Sequence, residues 1–174
     1  SRPFVLPASD QGLTSQCAVY TAAGVCEEAI WKHKKIKKQI DPDPLYVHAK
    51  ANDGLVAKDG TTLSAAGKAA LELTDWPGPG GVGYVKPVSK WDVKYAFHRY
   101  NVVMAGFRIS DAWNKFNPHS GYIGDFIGED RGGHAVLLVW FDEHGVGFQN
   151  SWGPGWGWNG FGRMTWKQFN QQFM

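Results

Sequence analysis

From Cys17 to about Lys38, apolar side chains recur at Val19, Ala22, Ala23, Cys26, Ala29, Ile30 and Ile36. Steps of three and four put them on one face, so the spacing predicts a helix of about twenty residues. Residues 1–16 show no period and read as an irregular lead-in ending in SDQGLTSQ. DPDP at 41–44 interrupts the chain, and its second proline is expected to open a short helix through Lys50, because the first helical turn does not need proline's missing N–H. NDG and KDG mark turns around a loop at 52–60. Thr62 or Ser64 is expected to cap a small-residue helix, SAAGKAALEL, and Ser89 a further helix through Tyr100. Between them WPGPGGVG, at 76–83, reads as a linker.

Beyond Tyr100 the pattern changes to short runs rich in β-branched and aromatic residues: VVMAGFRI, HAVLLVWF, VGFQNSW and FGRMTW. These predict strands, with DEHG at 142–145 as the hairpin turn between the second and third. The expected fold is therefore α+β: a single domain over residues 1–174, with a helical lobe at about 1–80, a β-rich lobe at about 84–174 and a cleft between them.

Composition and charge narrow the function mainly by exclusion. A net charge of +2 favours no class of partner. The basic run KHKKIKK, at 32–38, reads as a solvated last helical turn, where cations complement the dipole. No second basic patch or interleaved aromatics point to nucleic acid. The longest apolar run, Ala135 to Phe141, is too short to span a bilayer. A start at Ser1-Arg2-Pro3 suggests a processed form or an excised domain. Histidines at 33, 48, 98, 119, 134 and 144 have no metal-ligand spacing, so neither a metal nor a cofactor is expected. Gly155, Gly157 and Gly160 satisfy G-x-G-x-x-G, but Trp156 and Trp158 fill its gaps and a strand, not a helix, is expected to follow. Cys17 and Cys26 lie nine residues apart on one helix, about 13 Å at 1.5 Å per residue. A disulfide cannot bridge that distance.

Cys17 stands where the lead-in becomes a helix, a place where free N–H groups and the dipole favour a thiolate. Gln11, six residues upstream beside a glycine, can fold back and offer its amide to an oxyanion together with the Cys17 N–H. GGHAV sets His134 behind two glycines, Gly132 and Gly133, that leave room for a reactant. Asn150 follows sixteen residues later, across the expected hairpin, where an amide oxygen can fix the imidazole tautomer. QNSWGPGWGWNGFG, at 149–162, combines three tryptophans with five glycines. Trp152 is expected to lie over the His–Asn bond and exclude water, while the glycines bend the loop and Trp156 and Trp158 pin it to the core.

DQGLTSQC, GGHAV and QNSWGPGWGWNGFGRM together resemble the papain-like cysteine peptidases, in three segments spread over the chain. The resemblance implies a papain-like two-lobed fold and peptide-bond hydrolysis through a thioacyl-enzyme. Cys17 would be the nucleophile, His134 the base, Asn150 its orienter and Gln11 an oxyanion donor. It also implies substrate contacts at Asp59, Gly60, Gly133, Ala135 and Trp152. Thr14 and Ala18 depart from the family pattern, which has a cysteine and an aromatic there; framework disulfides are missing, and AKDGTT carries only Gly60 where paired glycines are usual. These departures suggest a compact prokaryote-type or modular version. The expected partner is a protein or peptide substrate, with no nucleic acid or membrane insertion. A propeptide or larger parent chain and a monomeric state are also expected. The compartment stays open, with a slight preference for a secreted or delivered effector-like module. Transglutaminases, deamidases and acyltransferases could use the same thiol, but commonly do so in a Cys-His-Asp set, and Asn150 within QNSWG speaks against them. A non-catalytic binding module is the other alternative.

Overall fold

The computed structural model describes residues 5–55, 57–77, 89–117 and 119–174. The first helix, α1 (Cys17–Lys34), buries Ala18, Val19, Ala22, Ala23, Cys26, Ala29 and Ile30. Its neighbours are α2 (Pro42–Asn52) and α3 (Leu63–Leu73), which add Leu45, Ala49, Ala65, Ala66, Ala69 and Ala70 to the same cluster. Alanines on facing sides let the helices approach closely, while Ile30 and Leu45 supply the bulk. Each of these two contributes roughly 1.5–3 kcal/mol on full burial.

The helix ends four residues earlier than the apolar pattern suggests. Lys35 turns left-handed (φ 58°, ψ 26°) and its N–H returns to the Trp31 carbonyl. The chain is then drawn back where Glu27 accepts the Ile40 N–H at 2.9 Å, which leaves Ile36 53% exposed instead of in the core. Lys32, His33 and Lys34 occupy the last turn as expected, and the rest of the basic run lies beyond the helix. The first proline of DPDP, not the second, opens α2: Asp41 accepts the Asp43 N–H and Pro42 takes the first helical position. Thr62 caps α3 through the Ala65 N–H, and Ser89 with Asp92 forms a capping box on α4 (Lys90–Tyr100).

Four antiparallel strands follow in sequential order: β1 (Val103–Ser110), β2 (Asp130–Phe141), β3 (Gly145–Gln149) and β4 (Phe161–Thr165). A 3-10 turn, Asp111–Asn114, follows β1. One face of the sheet carries an aromatic core that includes Phe107, Trp113, Phe148 and Phe169. From the other, Leu137 meets α1 so closely that a Cβ added at Gly24 would lie 2.8 Å from its side chain. β2 is thus covered on both faces over Ala135–Val139, which explains the unbroken apolar run. It begins at Asp130, ahead of that run, because Gly132 and Gly133 pair with Ile109 and Arg108.

FGRMTW is not all strand. β4 ends at Thr165, and Trp166 opens α5 (Trp166–Gln172) behind a capping box between Thr165 and Gln168. The T-x-x-Q spacing is the signal that marks this helix. The sheet and helix cores form the β-rich and helical lobes. Residues 78–83 of the expected linker, and with them the lobe boundary, lie outside the described residues. Among the described residues no helix is long and apolar enough to cross a membrane.

Candidate active site

Cys17 is the first residue of α1 and is half-buried, with Cys26 a buried free thiol further along the same helix. Burial pushes the Cys17 thiol above its ordinary value, against the backbone N–H groups of Ala135, Ala18 and Cys17 itself, which favour the thiolate. The Ala135 contact places the sulfur beside β2, one residue from His134.

His134 is the first buried residue of β2. Leu137 pairs with Gln149, so Asn150 emerges directly past the end of β3 on the neighbouring strand. The Asn150 Oδ1 lies 2.7 Å from the His134 Nε2. It also accepts the Ser151 N–H at 2.8 Å, which identifies that end of the amide as oxygen. An amide oxygen only accepts, so Nε2 carries the proton and Nδ1 of a neutral ring is left as the acceptor. Burial pulls the imidazole down to about 4, opposed by the Asn150 bond. Trp152 stacks on the ring with centroids 4.7 Å apart and planes at 29°. Trp113, which the sequence reading did not single out, meets the ring edge-on at 5.8 Å and 87°. Nothing in DAWNKF announces that contact, because the 3-10 turn reaches His134 only through the tertiary fold.

The lead-in is stitched to the asparagine loop. Asp10 bridges to Trp152, the Gln11 N–H bonds to the Ser151 carbonyl at 2.8 Å, and the Gly153 N–H to Ser9 at 3.0 Å. Ser151 Oγ donates to Gln11 Oε1 at 2.6 Å, which turns the amide nitrogen the other way, toward the Thr14 carbonyl. Thr14 Oγ donates to the Gln11 carbonyl at 2.6 Å, so the residue that departs from the family pattern holds this turn. Ser151 is a second residue the sequence reading missed.

Gly160 is needed for the close passage of loop and lead-in. Its φ is +87°, and an added Cβ would lie 2.0 Å from that of Ala8. Its N–H reaches the Trp156 carbonyl at 2.7 Å, and its own carbonyl takes the Asn150 N–H at 2.8 Å. Trp156 packs on Trp113 and Phe148 in the aromatic core. Trp158 does not join it: the ring is 41% exposed and lies against Phe116 and Gly121 on the rim.

The remaining predicted residues are distributed around this centre. The Gly60 N–H (φ +81°) donates to the Tyr46 hydroxyl at 3.3 Å, and the residue passes Ser15, whose carbonyl would lie 3.3 Å from an added Cβ. Asp59 is exposed on the same loop. The Ala135 side chain is buried in the helical cluster, while its N–H faces the thiol. Gly133 is exposed, and Met174 reaches it, with sulfur 3.2 Å from an added Cβ. Among the described residues no group of three His, Cys, Asp or Glu side chains could hold a metal ion.

No protein-family model and no curated protein matches the sequence. Solved structures do match the fold. Xylellain, a cysteine protease from Xylella fastidiosa, is 19% identical with a TM-score of 0.69, over 97% of this chain and 80% of its own. The digestive procathepsin L 3 of Tenebrio molitor larval midgut is 15% identical with a TM-score of 0.66, over 94% of this chain and 62% of its own. The cysteine protease and lectin-like domains of Cwp84, a surface layer associated protein of Clostridium difficile, give 17% and 0.70, over 97% of this chain and 46% of theirs. The chain thus spans less than two thirds of the latter two structures, and it has the papain-like α+β fold.

Proposed function

We propose that the chain is a cysteine-type endopeptidase that hydrolyses peptide bonds through a thioacyl-enzyme, with a protein or peptide as its partner. The observation that carries this reading is the buried His134–Asn150 bond at 2.7 Å, under Trp152, on the strand whose next N–H faces the Cys17 sulfur. His134 Nδ1 takes the thiol proton as the Cys17 sulfur attacks the scissile carbonyl. The oxyanion is met by the Cys17 N–H and the Gln11 Nε2. The imidazolium then returns its proton to the leaving amine, and the thioester remains on Cys17. Water, deprotonated by His134, attacks the thioester, releasing the acid and restoring the thiol.

Burial opposes a lone thiolate and a lone imidazolium here. Transfer of one proton between them creates no net charge, so their mutual attraction offsets both penalties. Asn150 suits this task, because orientation of the ring is needed more than added negative charge.

The test is cleavage of a peptide library by wild type, Cys17→Ala and Cys26→Ala, with products weighed by mass spectrometry. Cys17→Ala is expected to abolish turnover, and Cys26→Ala to stay within a few-fold. Products gained by deamidation or cross-linking, without backbone hydrolysis, would replace the peptidase reading with an acyl-transfer one. A dead Cys26→Ala beside an active Cys17→Ala would refute the nucleophile assignment.

A further inference from the structure

His134 has two indole neighbours, and only Trp152 belongs to the asparagine loop. The other, Trp113, comes from the 3-10 turn after β1 and is wholly buried. It touches the imidazole at 5.8 Å, Trp152 at 6.2 Å and Trp156 at 6.5 Å. The ring and its cover therefore rest on one indole. Aromatic contacts tolerate sliding and tilting over a broad range of geometries, each contributing roughly 0.5–1.5 kcal/mol beyond its burial. They do not by themselves hold a ring in one place. A hydrogen bond is directional, and Trp113 has one: its Nε1 donates to the Gln172 Oε1 at 2.8 Å, in the interior.

Gln172 is the last residue of α5 and is 0% exposed. Its Nε2 has no hydrogen-bond partner among the described residues. Burying an amide with one end unpaired costs stability that a methionine of similar shape would not lose. What glutamine supplies and methionine does not is the acceptor facing the indole N–H.

We infer that Gln172 is a positioning residue for His134, acting through Trp113 to hold the imidazole with Nδ1 turned toward Cys17. This deepens the proposed function and rests on His134 being its base. Burial lowers the proton affinity of the ring and the Asn150 bond opposes it. A change in its titration on substitution at neutral, distant Gln172 therefore reports geometry.

The experiment compares wild type, Gln172→Met, Trp113→Phe and the double variant. Steady-state kinetics on a cleaved peptide are read beside the NMR titration of the His134 imidazole, with melting curves to fix the folded fraction. Gln172→Met is expected to lower kcat about tenfold, the scale of a small misplacement of a reacting group, with KM within twofold. It should also move the imidazole titration. Trp113→Phe should do the same, and the double variant should be no worse than the poorer single one. Wild-type kcat and titration in Gln172→Met, or losses that multiply in the double variant, would overturn the inference. If Gln172→Met does not fold, Trp113→Phe decides alone: an unmoved imidazole titration there overturns it. The NMR arm needs no turnover. An inactive wild type would overturn the proposed function, and the titrations would still settle whether Gln172 positions the ring.

Discussion

Gln11 is fixed at both ends of its amide. Its oxygen takes the Ser151 hydroxyl, and its nitrogen donates one N–H to the Thr14 carbonyl, so the second N–H is the one the proposed mechanism offers to an oxyanion. In the proposed mechanism a donor held this way would need no reorganisation when charge develops, and would act on the transition state more than on the bound substrate. Gln11→Ala is expected to lower kcat roughly 10²–10³-fold, about 3–4 kcal/mol, and to leave KM nearly unchanged. Steady-state kinetics on one peptide check this, and a change confined to KM would make Gln11 a substrate-binding residue instead.

At the scale of the element, the β3–β4 loop joins two functions that compete for space. It carries Asn150 and the indole that stacks on the His134 ring, and it must also let the lead-in pass against Gly160. Trp152→Ala is expected to reduce kcat/KM, though less than loss of Cys17 or His134, and to narrow its pH profile, because a bond open to water holds the ring less firmly. If Trp152 were only packing, its loss would cost about 3–5 kcal/mol of stability and the folded fraction would keep the wild-type profile. Melting curves and pH profiles on the one variant separate the two. Gly160→Ala meets both a left-handed backbone and the Ala8 side chain 2.0 Å away. It should destabilise the chain by more than 1 kcal/mol, the usual scale for a clash in a packed interior, and weaken activity, since Asn150 bonds to its carbonyl. Thermal melts check the first and kinetics the second.

For the whole molecule, the imidazole lies in the interior beside both lobes, and its titration is linked to folding. Burial holds His134 down at about 4 in the native state, whereas an unfolded histidine titrates near 6.5. Above pH 6.5 neither state is protonated and there is no penalty. As pH falls from 6.5 toward 4, the unfolded chain binds a proton that the native chain refuses, so stability drops, by an amount on the order of 3 kcal/mol. Below about 4 both states are protonated and the loss stops growing. Denaturant unfolding of wild type and His134→Gln across this range should show a stability difference that changes between pH 6.5 and 4 and is level above. A difference constant throughout would mean that the ring titrates normally.

The sequence by itself marked the residues of the proposed site, because each of them sits in a local pattern with a physical reason. Cys17 stands at the change from irregular chain to apolar-striped helix, His134 at the head of an apolar run behind two glycines, and Asn150 one hairpin later. Period and spacing are local properties, so the α+β order and the hairpin between β2 and β3 were legible as well. Element ends were less so: Lys35 stops α1 because Glu27 draws the chain back at Ile40, and Thr165 turns the last strand into α5. Only the tertiary structure decided what lies around the imidazole. Trp113, Ser151 and Gln172 come from a turn, a loop and a terminal helix with no shared period. Their roles exist only where separate segments meet, since ring packing and a hydrogen bond between distant residues leave no local spacing to read.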